Sequence, residues 1–418
     1  MTHKTQDTDF IRGQLPTWWT ETTLGEAVGI LDWDRGSNYP NWTDFSSDWF
    51  CLFLNTKNVQ NTQFSFAEKM FISEEKDNLL RKWKLQRGDF VLTTRGTIGN
   101  TAHYHSWTPY DHIRINSGMV ILRVNPKYVD EKYFWQYLNG SIFKNQFIAL
   151  QSWSAVPQLP IKDIKTFHIS LPPLPEQCAI AAVLSSFDDK IELLREENKT
   201  LEATAQTIFK EWFGKYKVDS ELPEGWRVGK IKDFWTIVCG KTPSKDNPDY
   251  FGWNTPFIKI PDMHNDVFIV KTEDSLTEAW ADSQKNKFVP KGSICVSCIA
   301  TVGLISITSQ DSQTNQQINS IIPNEDSYLE YLYFTFTSMK DKLIGIGSWG
   351  SATLNINTSV FSNVEIMSPA IDKIQEYHSS VGPIFEKILT NLYQIQSLSK
   401  TRDELLPKLM NGEVRVKF

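Results

Sequence analysis

The chain has little of what marks a membrane, secreted or strongly basic protein. No stretch approaches about 18 uncharged apolar residues, the length that a membrane-spanning helix needs, and the polar N-terminus lacks the apolar core of a signal peptide. The five cysteines are an odd number in 418 residues, which is typical of reduced thiols. Because 43 basic residues face 49 acidic ones, the net charge of −6 by itself indicates no nucleic-acid partner. We expect a cytoplasmic protein without a membrane segment, long enough for two or more domains.

A heptad pattern occupies the middle of the chain. Over residues 174–213, seam residues recur in alternating steps of three and four, which is the 3.5-residue period of a coiled coil. The prolines of 171–175 precede this pattern and Gly214 follows it, so that the segment is predicted to form one long helix. The seam positions are Leu184, Phe187, Ile191, Leu194, Asn198, Leu201, Ala205, Ile208 and Trp212.

A second seam repeats the first at an offset of roughly 197 residues. Gly382-Pro383 lies within it and predicts a kink or a late helix start. We expect the two seams to pack antiparallel within one chain, with Asn198 facing the layer near Ile395 and Asn391 close by. Arg402 is expected to pair with an acidic residue of the facing helix or with a partner subunit. The second seam consists of Val381, Ile384, Ile388, Asn391, Ile395, Leu398, Arg402, Leu405 and Leu409.

The regions outside the helices also repeat each other. Residues 88–99 (GDFVLTTRGTIG) match 292–303 (GSICVSCIATVG), and Leu-Pro-x-x-Trp occurs at 15–19 and again at 222–226. Short β-like runs dominate both regions, with a helical stretch over 128–150. The predicted fold is α+β, with two similar domains separated by two long helices that form an antiparallel intramolecular coiled coil in a pseudo-twofold arrangement. The predicted boundaries are 1–173, 174–214, 215–368 and 369–418.

Four segments carry a family resemblance. Residues 240–262 (GKTPSKDNPDYFGWNTPFIKIPD) are similar to the beginning of a DNA target recognition domain, and residues 87–99 (RGDFVLTTRGTIG) resemble the glycine-containing turn of such a domain. Residues 171–177 (LPPLPEQ) resemble the opening of a central helix, and residues 404–413 (ELLPKLMNGE) the closing motif. Taken together in their order along the chain, and on a duplicated framework, the four segments resemble the specificity (S) subunits of Type I restriction-modification enzymes.

The resemblance implies a DNA-binding, non-catalytic role. Each recognition domain would bind one half of a bipartite, asymmetric target in double-stranded DNA. The paired helices would set the distance between the halves and dock two methyltransferase (M) subunits. Adenine methylation, and cleavage when restriction/translocase (R) subunits are present, would be carried out by those partners. The chain itself would hold no cofactor or metal, and S-adenosylmethionine, ATP and Mg would be bound by the partner subunits.

Donor side chains and glycines of the two domains are the candidate DNA contacts. Glycines allow close approach of the backbone, arginine can be bidentate to guanine, asparagine and glutamine suit adenine, and lysine or threonine suits phosphate. A structural role in a turn or as a loop anchor is the alternative for each. Because Ile299-Ala300 replaces Arg95-Gly96, we expect the two domains to read different sequences. The candidates are Thr94, Arg95, Gly96, Thr97, Arg114, Asn116, Trp153, Lys241, Thr242, Ser244, Lys259, Thr301, Gln316, Gln317 and Trp349.

Three further motifs are set aside, and two rival functions stay open. Residues 247–250 (NPDY) differ from the N-P-P-Y of amino-methyltransferases at Asp249, and residues 240–242 (GKT) lack the upstream glycine of a Walker loop. Cys295 and Cys298 form a lone pair in an apolar run, which favours buried reduced thiols over zinc. The rivals are a two-domain coiled-coil scaffold or adaptor without a DNA role, and the detached specificity part of a fused restriction-methylation enzyme.

Overall fold

The computed structural model describes residues 15–31, 38–60, 62–80, 82, 84–151, 158–244, 247–264, 266–348 and 354–417. The chain forms two compact units. The first unit takes the residues up to Asp189 together with those from Ser399 onward, and the second unit is Lys190–Leu398. Each unit therefore contains part of both long helices.

The first unit is an α+β fold of short strands and short helices. Its strands are β1 Thr20–Thr23, β2 Val28–Leu31, β3 Cys51–Leu54, β4 Val59–Gln60, β5 Gln63–Phe64, β6 Phe71–Ile72, β7 Phe90–Thr93, β8 Thr101–His103, β9 Ile113–Ile115, β10 Met119–Val124 and β11 His168–Leu171. Its short helices are α1 Leu24–Ala27, α2 Glu74–Leu79, α3 Glu131–Asn139, α4 Ser141–Gln151 and α5 Ile161–Ile164. The long helix α6 then runs over Leu174–Phe213.

The sheets of the first unit explain its apolar runs. The strand orders are β2-β10-β7-β8, β6-β3-β9, β1-β11 and β4-β5. Alternate residues of β7 and β10 point to opposite faces. Val120 and Leu122 enter one apolar cluster with Phe134 of α3, while Met119 and Ile121 enter another with Leu54. Because both faces are covered, the strands read as continuous hydrophobic runs.

The second unit repeats this plan. Its strands are β12 Arg227–Lys230, β13 Thr236–Cys239, β14 Phe251–Ile258, β15 Phe268–Ile269, β16 Asp274–Leu276, β17 Phe288–Val289, β18 Ile294–Ser297, β19 Ile305–Thr308, β20 Ser312–Thr314, β21 Ile318–Ile322 and β22 Glu365–Ser368. Its helices are α7 Ile231–Phe234, α8 Glu278–Ser283, α9 Leu329–Ser338, α10 Lys340–Gly347, α11 Thr358–Ser362 and the long helix α12 Ile371–Met410. The strand orders β13-β21-β18-β19-β15 and β16-β14-β20-β17 are those of β2-β10-β7-β8 and β6-β3-β9 with one further strand each, and β12-β22 corresponds to β1-β11.

The two long helices pair antiparallel, as the seams predicted. Within the second unit, Asn391 Nδ2 donates to Asn198 Oδ1 over 2.8 Å, and the ring of Tyr377 lies 5.7 Å from that of Trp212. As the residue number rises along α6, the number of its partner in α12 falls. All the predicted seam residues of both helices are buried or half-buried. A buried asparagine pair of this kind lowers stability and fixes the register of the seam.

Arg402 also has the predicted partner. Its guanidinium Nη1 lies 2.7 Å from Oδ1 of Asp188, and both residues belong to the first unit. Of the two alternatives predicted at Gly382-Pro383, the late helix start is wrong, because α12 is helical from Ile371 and passes through both residues, and the kink stays a prediction. Packing of Ile374 and Tyr377 into the apolar core of the second unit holds the turns that precede the proline.

The helical stretch predicted over 128–150 is two helices rather than one. They are α3 and α4, and Gly140 between them has an extended backbone with φ −76° and ψ 163°. A Cβ atom at Gly140 would lie 2.6 Å from Leu406 Cδ2. The break therefore lies where the C-terminal part of α12 packs directly against the backbone.

Candidate nucleic-acid interface

Three loops of the first unit meet at one edge, which we call the first loop edge. Strands β3 and β9 are parallel and pair Leu54 with Ile115, so the residues that follow them, from Asn55 and from Asn116, lie side by side. The third loop is residues 94–99, which follow β7. The backbone N–H groups of Thr94 and Arg95 donate to Gly118 O over 2.7 and 3.2 Å.

The 94–99 loop is a tight turn built around the hydroxyl of Thr93. Thr93 Oγ1 donates to the Thr97 carbonyl and accepts from Asn100 N over 3.0 Å. Gly96 has φ +69°, which favours glycine at this position. Thr97 and Gly96 are exposed and Arg95 is half-buried, whereas Thr94 is only 5% exposed and supports the turn from below.

The second unit carries the same turn in a different sequence. Ser297 Oγ takes the place of Thr93 Oγ1, donating to the Thr301 carbonyl and accepting from Leu304 N over 2.9 Å. Ala300 keeps the left-handed backbone of Gly96, with φ +61°. An alanine there is held by its surroundings, since its N–H donates to Leu354 O over 3.0 Å. Thr301 is exposed, and the sequence supplies isoleucine where the first unit has Arg95.

An asparagine turn is duplicated as well. Asn116 Oδ1 accepts from Gly118 N over 2.9 Å, and Asn315 Oδ1 accepts from Gln317 N over 3.1 Å. The latter turn places Gln316 in solvent and Gln317 half-buried. Asn315 was not among the predicted residues, and the signal for it was its alignment with Asn116 in the repeat.

The 240–244 segment joins this second loop edge, defined by residues 240–244, 298–303 and 315–317. Lys241 N donates to Thr314 O over 2.9 Å, and Thr242 Oγ1 donates to Gln316 Oε1. Lys241 Nζ, at the exposed end of its side chain, lies 3.2 Å from Gln284 Oε1. With Ser244 exposed at the end of the segment, this edge also holds five other predicted residues, which are Lys241, Thr242, Thr301, Gln316 and Gln317. Trp153 and Trp349 lie outside the described residues.

Arg114 requires a correction, because the structure gives it an interior role. It is 4% exposed and ion-paired with Asp77, and its Nη2 donates to the carbonyls of Asp77 and Leu80 over 2.7 and 2.9 Å. Gln313 occupies the same position in the second unit and donates to the carbonyls of Ala281 and Gln284 over 2.9 and 3.3 Å. Both side chains close the C-terminal end of a short helix, α2 or α8. Arg114 is therefore removed from the proposed DNA contacts.

Lys259 is also held by its own unit. Its Nζ lies 2.7 Å from Glu273 Oε2 and 2.9 Å from Asp274 Oδ2. Burial alone would lower the pKa of Lys259, but the two carboxylates outweigh it and raise the pKa above its usual value. The charge is thus present but neutralised, so a phosphate would have to compete with two bound carboxylates.

Clusters of metal-ligating side chains are absent from the described residues. These residues contain no group of three or more His, Cys, Asp or Glu side chains placed to hold a metal ion. Cys295 and Cys298 are buried, as predicted, and burial raises their pKa to about 12 and about 11. Across the part of the chain that the structure describes, no helix is long and apolar enough to cross a membrane.

The two loop edges, each with a glycine- or alanine-containing turn and polar strand ends, define a duplicated recognition module. The family model described as "Type I restriction modification DNA specificity domain" matches twice, at residues 19–203 and 223–405. The chain belongs to this family of Type I restriction-modification specificity subunits.

Relatives support the assignment over nearly the full length. The chain is 33% identical to the Type I restriction enzyme HindI specificity subunit of Haemophilus influenzae, covering 95% of this chain and 99% of the relative. It is 28% identical to the MjaIX specificity subunit of Methanocaldococcus jannaschii, over 79% and 78% of the two chains. A crystal structure of a Type I restriction-modification S subunit from M. genitalium has the same fold, with a TM-score of 0.55, 13% identity and coverage of 96% and 97%.

Proposed function

We propose that this chain reads a bipartite, asymmetric DNA target, with one half-site bound at each loop edge. The main support for this proposal is that the two units share the backbone turns of the loop edges but differ in the exposed side chains that these turns carry. The hydroxyl-centred turn and the asparagine turn occur in both units, yet Arg95 corresponds to isoleucine and Asn55 to Lys259. A duplicated reader that keeps its backbone and changes its exposed side chains is suited to two different sequences.

The partners follow from the same assignment. The chain is the non-catalytic specificity subunit, and two M subunits would dock on the paired helices and carry out adenine methylation with S-adenosylmethionine. R subunits would add ATP- and Mg-dependent cleavage. Methylation and cleavage take place on double-stranded DNA in the cytoplasm. The candidate DNA contacts in this chain are Arg95, Gly96, Thr97, Asn116, Lys241, Thr242, Ser244, Thr301, Gln316 and Gln317.

The function is tested by sequencing the methylome of the host with and without this gene. We expect adenine methylation to disappear from one bipartite motif on deletion and to return when the gene is restored. A methylome that is unchanged by the deletion would contradict the proposal and favour the scaffold without a DNA role.

Replacing Arg95 with alanine should weaken recognition at one half-site only. A bidentate contact between a guanidinium and guanine contributes about 1–3 kcal/mol of discrimination, so sequences that differ at one position of that half-site should become methylated. The measurement is methylation of a DNA library by the purified complex with M subunits. Lys127→Ala, which removes an exposed positive charge from the same unit beyond the far end of β10, is the control. An unchanged pattern for Arg95→Ala would exclude the contact.

A further inference from the structure

A cleft of about 230 Å³ opens in the first unit beside the first loop edge. Phe53 and Met70 form part of its floor, and Trp42, which is 88% exposed, stands at its mouth. Asn55 and Asn116 link the cleft to the loop edge, because they are the residues that follow β3 and β9. An isolated indole exposed to this extent contributes little to the stability of its own unit.

The rim of the cleft is made of amides that are fixed in orientation. Asn41 Oδ1 accepts from Thr43 N over 3.0 Å, Asn55 Oδ1 accepts from Lys57 N over 2.8 Å, and Asn116 Oδ1 accepts from Gly118 N over 2.9 Å. With each oxygen bound to its own backbone, the Nδ2 group of each amide is directed away from that backbone. Among the described residues, none supplies a hydrogen-bond acceptor to these three Nδ2 groups. The rim therefore presents hydrogen-bond donors.

Among the described residues, the second unit has an ion pair at the corresponding place. Phe53 N donates to Met70 O in the first unit, and Phe257 pairs with Asp274 in the second, which makes Asp274 the counterpart of Met70. The counterpart of Asn55 is Lys259, whose Nζ lies 2.9 Å from Asp274 Oδ2. The ion pair of Lys259 and Asp274 therefore occupies the positions that the amide of Asn55 and the thioether of Met70 have in the first unit. The paired strands are common to both units, and at this place their side chains differ.

We infer that this cleft is a specificity-determining site that reads a guanine of the first half-site, an inference that rests on the proposed function. In the major groove guanine presents two acceptors, N7 and O6, and no donor. Adenine presents a donor beside its acceptor, so it would have to share an amide oxygen that already accepts a hydrogen bond from the local backbone, whereas the Nδ2 donors are available to guanine. The amides of Asn55 and Asn116 donate to the guanine edge, and the Trp42 ring packs against the neighbouring base or sugar.

Asn55→Asp is the decisive substitution. A carboxylate keeps the acceptor for Lys57 N and the shape of the side chain, but it replaces the donor with an acceptor that repels guanine N7 and O6. The matched control is Asn125→Asp, because exposed Asn125 caps Lys127 N over 3.1 Å in the same way, at the opposite end of β10 in the same unit. Trp42→Ala is the second test, since removal of an exposed ring leaves the core intact.

The assay is methylation of a DNA library, randomised in both half-sites, by the full complex with M subunits. For Asn55→Asp we expect the preference for guanine at a single position of one half-site to fall roughly tenfold or more, with cytosine or adenine gaining there. The other half-site and the Asn125→Asp control should be unchanged, and Trp42→Ala should weaken the same half-site.

Three results would overturn the inference, and they differ from a failure of the proposed function. Asn55→Asp could weaken all sequences equally, which would indicate a phosphate contact. Asn55→Asp and Trp42→Ala could both leave every position unchanged. The altered position could be an adenine in the wild-type target. Absence of any bipartite motif with the wild-type complex would instead contradict the proposed function itself.

Discussion

Replacing Glu176 with alanine is expected to destabilise the first unit by about 3 kcal/mol. The carboxylate is fully buried, and its Oε2 accepts from Trp19 Nε1 over 3.2 Å and from Trp18 Nε1 over 3.3 Å. Its Oε1 accepts from Arg415 Nε over 2.7 Å. Arg415 and Trp18 can reach water after the change, which is why the expected loss lies at the low end of the range for a broken buried pair.

This loss can be measured by hydrogen exchange of the intact chain in increasing denaturant, which reports each unit separately. Peptides of the first unit should lose protection at a lower denaturant concentration, while those of the second unit should not. Glu192→Ala is the control, because Glu192 lies on the same helix with its side chain 59% exposed. Equal behaviour of the two variants would show that the buried carboxylate contributes nothing.

Replacing Arg114 with glutamine is expected to cost about 3–5 kcal/mol, and a second substitution should restore most of it. The change leaves the Asp77 carboxylate, whose side chain is 2% exposed, with Lys84 as its remaining partner. In the second unit the corresponding pair of residues is uncharged, because Gln313 and Ala281 occupy the positions of Arg114 and Asp77. The double variant Asp77→Ala/Arg114→Gln therefore copies a pair that the chain already uses.

Chemical denaturation of the single and double variants tests this coupling. A double variant no more stable than Arg114→Gln alone would contradict the explanation. Gln313→Ala in the second unit serves as the reference, because it removes only the hydrogen bonds to the carbonyls and should cost about 1–3 kcal/mol.

The ion pair between Asp77 and Arg114 should also make the stability of the first unit depend on pH in the acidic range. Burial of the Asp77 carboxyl would by itself raise its pKa, but hydrogen bonds from Lys84 and Arg114 outweigh burial and hold the pKa below its usual value. A lowered pKa in the folded state means stability that is present above the ordinary pKa of aspartate and is lost as the pH falls through the lowered one. The Arg114→Gln variant should therefore unfold at a higher pH than the wild type, and the double variant should lose this difference.

Periodicity and repetition predicted the helices and the duplication well. The seams are spaced by the helix itself, and the β-like runs at 90–92, 119–122 and 167–171 fall on strands β7, β10 and β11. Phe209 and Phe213 were missed, although they are buried. They lie outside the heptad and pack on Tyr331 of the second unit as well as on Tyr377 of the facing helix.

Single side chains were harder to predict. Arg114 was a candidate DNA contact because residues 114–116 fall at roughly the same place in the repeat as residues 315–317. Only the tertiary structure shows that α2 ends beside Arg114 and covers it. Lys259 lies close to carboxylates that are 14 and 15 residues further along the chain, so that no local pattern reveals its pairing. Asn55 and Trp42 became candidates only when the cleft between them was seen.

The ion pair between Glu176 and Arg415 also sets an order of assembly on the ribosome. The two residues are 239 positions apart, and at about 5–20 residues per second the second follows the first by roughly 10 to 50 s. The second unit, Lys190–Leu398, is made entirely within that interval. The unit that is begun first is thus completed last, and until Leu406 and Leu409 emerge, the apolar cluster that contains Leu184 of α6 lacks these two side chains. A nascent chain stalled before residue 399 should consequently expose this part of the cluster to chaperones.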